Sequence, residues 1–96
     1  MTRLPVPGEP VLSGPFQSEH QAGAVPAVRE AYAAGHQRRG EMTRHNHRML
    51  CSALTRAGVD VGEFDHAIVV WLTQWEPQTV AVIAGLITRA SKAGQR

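Results

Sequence analysis

The side chains best suited to chemistry are histidines, one cysteine and a scatter of carboxylates. His47 and Cys51 stand i, i+4, which places an imidazole and a thiol on one helix face and could supply half of a tetrahedral zinc site, with His36 or His66 arriving from elsewhere. A complete site pairs two such halves, and no second half is spelled out. Cys51 therefore reads as a small core residue beside Leu50 and Leu54, with the histidines solvated and no metal ligand assigned. Glu63, Asp65, His66 and Glu76 form an acid–base grouping around Trp71 and Trp75. General acid–base catalysis needs a nucleophile or second base at fixed spacing, and none joins them. Carboxylates at helix starts complement the helix dipole, which accounts for Glu63, Asp65 and Glu76. No catalytic residue and no cofactor is assigned, and the expectation is a protein that is not an enzyme.

The triplet His45-Asn46-His47 has the letters of a ββα metal-dependent nuclease, but those letters name residues spread over a strand-containing site. No strand-forming segment flanks them here, so the adjacency carries no nuclease reading. Charge is more informative. Residues 25–58 hold six arginines against two glutamates, net +4, whereas residues 59–78 hold Asp60, Glu63, Asp65 and Glu76 with no lysine or arginine. The molecule is electrically two-ended. Arg38, Arg39, Arg44 and Arg48, interleaved with His36, His45 and His47, would form a basic surface able to contact phosphates, although no helix-turn-helix or other recognition pattern can be laid over them.

The elements that must carry these residues are helical. Pro26 suits a first helical turn, and Val28, Ala31, Tyr32 and Gly35 follow at helical spacing. Met42, Met49, Leu50, Ala53, Leu54 and Ala57 resume that spacing before Gly58 stops it. Gly35 and Gly40 each cost about 1 kcal/mol relative to alanine inside a helix, so two segments meeting near them are expected instead of one long helix. Phe64, Ala67, Ile68, Trp71, Leu72 and Trp75 form the face of an amphipathic helix over residues 63–74. Pro77 opens another, with Arg89 and Lys92 in its last turns, whose interior from Val80 to Ile87 is apolar on all sides. Such a helix is buried or covered by a second subunit, and Ala81 and Gly85, one turn apart, would admit another helix closely.

The expected fold is therefore all-α: a small bundle of three to four helices over residues 25–96, preceded by a disordered, Pro/Gly-rich arm over residues 1–24. Its core is expected to hold Phe64, Ile68, Trp71, Leu72, Trp75, Ile83 and Ile87, and its interface Val82, Leu86, Ala81 and Gly85. A chain of 96 residues builds one small core, so stability through a partner or a second copy is expected. A single cysteine permits no internal disulfide and fits a reducing cytoplasm. Pro5, Pro7, Gly8 and Pro10 interrupt any export signal, and no apolar run approaches the roughly 20 residues of a membrane span.

The stretch from Phe64 through Trp71-Leu72-Thr73-Gln74-Trp75-Glu76-Pro77 to Val80, preceded by Ala57-Gly58-Val59, resembles a pattern in short uncharacterised helical proteins of high-GC actinobacteria, over roughly residues 48–90. The resemblance implies a small helical protein, often associated with mobile elements, with no activity to carry over. The residues themselves lead to a protein-interaction module, an adaptor or modulator, that associates with itself or a protein partner through apolar faces of its C-terminal helices. The alternative is a nucleic-acid-binding accessory protein or small regulator using residues 38–48.

Overall fold

The computed structural model describes residues 12–94. Among them are five helices and no strand: α1 (Glu19–Gly23), α2 (Pro26–Gln37), α3 (Glu41–Arg56), α4 (Glu63–Leu72) and α5 (Pro77–Ala93). The all-α expectation holds, with one helix more than anticipated. Residues 1–11 of the expected arm lie outside the described residues; the remainder departs from it. Ser18 caps α1 by accepting the Gln21 N–H at 3.2 Å, and Ala22 is buried. The helical part thus begins at Glu19 rather than near residue 25.

The break between α2 and α3 falls where two glycines pointed, but each glycine does a different job. Gly40 sits at φ +86°, the left-handed backbone that reverses the chain. Gly35 is an ordinary member of α2, and a Cβ there would stand 2.9 Å from the Met42 Cβ, so its missing side chain lets the two helices close up. Gly58, at φ +71°, ends α3 as expected.

The centre of the molecule is α3, packed against α2 on one side and α5 on the other. One cluster joins Leu50, Ala53, Val69, Val80 and Ala84, with Leu72, Ile83 and Ile87 half-buried against it. A second joins Val25, Val28 and Ala81, with Phe16, Ala27 and Tyr32 around it, and Met49 borders both. Gln78, at the start of α5, ties three helices together. It accepts the Tyr32 hydroxyl at 2.5 Å and donates to Glu19 at 3.1 Å and Glu76 at 2.8 Å.

The apolar last helix is covered by the chain's own leading segment. A Cβ on Gly85 would meet the Ser13 carbonyl oxygen at 2.6 Å and the Phe16 ring at 3.2 Å. The close approach permitted by Ala81 and Gly85 is thus used internally. Both are buried, which removes them from the expected interface. Val82 is half-buried and shares a hollow with Phe16, and of that set only Leu86 is well exposed.

Candidate functional site

The fourth helix stands apart in how it is attached. Its start is organised by Asp65, whose carboxylate accepts the Gly62 N–H at 3.0 Å, and Glu63 adds a second negative charge to the first turn. Its inner face carries Val69, buried in the first cluster, and Leu72 at its edge. At its far end Asn46 of α3, fully buried, donates one N–H to the Thr73 carbonyl at 3.1 Å and the other to the Trp75 carbonyl at 2.9 Å. Carbonyls at a helix C-terminus lack intrahelical partners, and one side-chain amide satisfies two of them here. Its Oδ1 atom, also buried, has no hydrogen-bond partner among the described residues.

This attachment turns the strongest apolar stripe of the chain outward. At 100° per residue, Phe64, Ile68 and Trp71 fall on nearly one line of α4 with Val69 on the opposite side, and Trp75, in the turn after the helix, continues the line by packing against Trp71. Phe64 is 77% exposed, Ile68 42%, Trp71 54% and Trp75 48%. Four of the seven residues expected in the core therefore lie on the surface; the other three, Leu72, Ile83 and Ile87, pack against it half-buried. The physical reason is that α4 is apolar on both sides, and the smaller residues, Val69 with the edge of Leu72, suit the shallow seat against α3 better than two tryptophans would. The indole rings pack edge-to-face instead, with centroids 5.5 Å apart and planes at 78°. Val59, Val61 and Val70 are also exposed in this region.

The exposed portion of the four stripe side chains amounts to on the order of 400–500 Å². That matches the largest apolar patch usual on a monomer, which is often functional. Asp60, Glu63, Asp65 and Glu76 are all exposed around its two ends.

The remaining expected site residues are dispersed. Arg38 and Arg39 sit in the turn between α2 and α3, and Arg44 and Arg48 follow one turn apart on α3, all four exposed. Arg44 reaches Glu41 at 3.5 Å. Cys51 Sγ lies 3.5 Å from His47 Nε2, and the His47 ring meets the edge of His66 with centroids 5.7 Å apart, a contact between α3 and the first turns of α4. Among the described residues no three His, Cys, Asp or Glu side chains converge as a metal site would require. Of the sequence's acid–base grouping, Glu76 accepts from Gln78 and Asp65 from the Gly62 N–H, both ordinary helix-end contacts, while Glu63 and His66 are exposed.

Asn46 was the residue most open to discovery in the sequence. It lies one turn before Leu50 on the apolar line of α3, and a lone amide in such a line signals a buried hydrogen-bonding duty. A hollow of about 460 Å³ between α2, α3 and α5 is floored by Ala53, Ala81 and Ala84 and bordered by His45, Arg48 and Arg56. No helix among the described residues is long and apolar enough to cross a membrane. Comparison with protein-family models, curated proteins and solved structures gives no match for this chain.

Proposed function

We propose that this chain is a small helical protein-interaction module, an adaptor or modulator, that docks on a protein through the outward stripe of α4. One observation carries the reading. A helix with ample apolar side chains seats its smaller ones inside and, with the turn that follows it, shows Phe64, Ile68, Trp71 and Trp75 to solvent. Leaving that much apolar surface wet forgoes on the order of 10 kcal/mol of gross burial at about 25 cal/mol per Å², and two aromatic residues of the kind that dominate binding hot spots sit within it. The surface expected for association moves accordingly from α5 to α4.

A single partner-facing area of this size lies below the roughly 800 Å² per side of a standard stable interface, so the docking is reversible and transient. The lone cysteine accords with action in a reducing compartment. Kinship with the short actinobacterial proteins over residues 48–90 is proposed on sequence pattern alone.

The test is affinity capture with the whole chain, comparing wild type with Phe64→Ser/Ile68→Ser and with Arg38→Ala/Arg39→Ala/Arg44→Ala/Arg48→Ala. Partners retained by wild type and the arginine variant but lost by the stripe variant support the reading. A partner set indifferent to the stripe overturns it. The second reading, phosphate contact through the arginines, is favoured by the exposure of all four, and loss of nucleic acid from the arginine variant alone would promote it.

A further inference from the structure

We infer that the occupant of the α4 stripe is an amphipathic helix of a different protein whose apolar line is flanked by lysine or arginine, and not a second copy of this chain. The inference rests on the docking reading above and adds the chemistry of the partner. From Phe64 to Trp71 the stripe runs about 10 Å at 1.5 Å per residue, the length over which a helix presents anchors at i, i+4 and i+7, and Trp75 extends it past the end of α4. No sheet edge exists among the described residues to receive an extended strand, so a helix lying along the stripe is the matching shape.

Charge chooses between occupants. Asp60, Glu63 and Asp65 stand by the start of the stripe and Glu76 by its end, all exposed, and residues 59–78 contain no lysine or arginine. A basic rim on the partner meets opposite charge at both ends. Two copies pairing stripe to stripe do not. Antiparallel pairing lays Glu63 and Asp65 of one copy over Glu76 of the other, and parallel pairing lays each carboxylate over its twin, so either arrangement gathers negative charge.

Head-to-tail contact between copies fails differently. The arginines at positions 38, 39, 44 and 48 could meet the acidic rim, but no large exposed hydrophobic residue lies on α2 or α3 to cover the aromatic line, and on α5, which carries Arg89 and Lys92, Leu86 is the single large hydrophobic that is well exposed. Neither basic region offers an apolar line to match its charge.

The sequence supplies its own reporter. Its two tryptophans are both on the stripe, so indole fluorescence reads the docking surface directly. The probe is a designed helical peptide of about 18 residues with a leucine line flanked by lysines, compared with a twin flanked by glutamates and otherwise identical. The lysine peptide should produce a saturable blue shift and bind at least about tenfold tighter than its twin at low salt, the gap closing as salt is added. Glu63→Lys/Glu76→Lys should narrow or reverse the preference. Phe64→Ser/Ile68→Ser, which keeps both reporters and alters only exposed side chains, should abolish the shift while circular dichroism is unchanged.

Equal binding of the twins, lost in the serine variant, overturns the basic-partner inference and leaves stripe docking standing. Binding of the lysine peptide that survives in the serine variant also overturns it. No shift with either peptide sinks the docking reading itself. A concentration-dependent blue shift without peptide, accompanied by dimer mass in sedimentation, assigns the stripe to a second copy and overturns the inference.

Discussion

Asn46 and Trp75, 29 positions apart, are joined by a 2.9 Å hydrogen bond from the side-chain amide of one to the backbone carbonyl of the other. The same amide holds Thr73, and Thr73 is itself buried. One side chain of α3 thereby fixes where α4 ends, and with it the position of the last tryptophan of the exposed stripe.

Replacing Asn46 with alanine should accordingly destabilise the fold by about 1–3 kcal/mol, because the buried Thr73 carbonyl and the partly buried Trp75 carbonyl lose their donor and a small void opens. Asn46→Asp should be at least as damaging, since a carboxylate has no N–H to offer and would be buried beside carbonyl oxygens. Urea unfolding of both variants measures this. A loss below about 0.5 kcal/mol for alanine would place α4 under other control.

Leu50→Ala should cost about 2–5 kcal/mol, the usual range for truncating a fully buried leucine, whereas Trp71→Ala should stay within about 1 kcal/mol. Thermal melts of the two variants, with acrylamide quenching of the wild-type indoles, separate the positions. Strong protection of the indoles, together with a large loss for Trp71→Ala, would put the stripe inside.

The contrast between those two residues shows what the sequence could and could not convey. Helices α2 to α5 were legible because their ends carry local chemistry, Pro26 and Pro77 at helix starts and Gly40 and Gly58 in left-handed turns, whereas α1 fell within the expected arm. The stripe of α4 was legible as a stripe. Its direction was not, because periodicity says which residues share a face and not which face meets the neighbour, and α4 has apolar side chains on both. Phe16 was invisible for another reason. It belongs to no periodic run, and its place is set by a gap above Gly85 that forms only when α5 is folded.

That gap predicts the behaviour of Gly85→Ala. Alanine improves helix propensity by about 1 kcal/mol, yet its Cβ would collide with the Ser13 carbonyl, a backbone atom 2.6 Å away. The collision should win, with a net loss of about 1–3 kcal/mol and faster amide exchange around α1. A stabilised variant would show that residues 13–16 do not rest on α5.

Gln78→Ala tests the polar counterpart of that seat. Alanine at this position removes the acceptor for Tyr32 and the donor to Glu19, so α1, α2 and α5 lose their shared tie. The expected cost is about 1–1.5 kcal/mol, reduced by the exposure of the Glu19 contact. Tyr32→Phe should reproduce part of it, and the double variant should lose less than the two single losses added together, because both remove the same bond. Strict additivity in this cycle would mean that the two side chains act independently.

The arginines give the last test, because their arrangement bounds how strongly the chain could hold nucleic acid. Each phosphate contact contributes about −0.9 to the slope of log affinity against log salt, so Arg38, Arg39, Arg44 and Arg48 acting together reach a slope of about −3.6. Arg44 is partly engaged by Glu41, and the acidic residues about α4 repel the same backbone, so a shallower slope and weak, sequence-indifferent affinity are expected. Titration of a fluorescent duplex against wild type at several salt concentrations measures the slope, and Arg39→Ala/Arg44→Ala/Arg48→Ala should remove most of it without changing the melting temperature. Phe64→Ser/Ile68→Ser should leave it intact, since those side chains carry no charge. A steep slope, tight binding and sensitivity to sequence would move the working surface of this protein from α4 to the corner between α2 and α3.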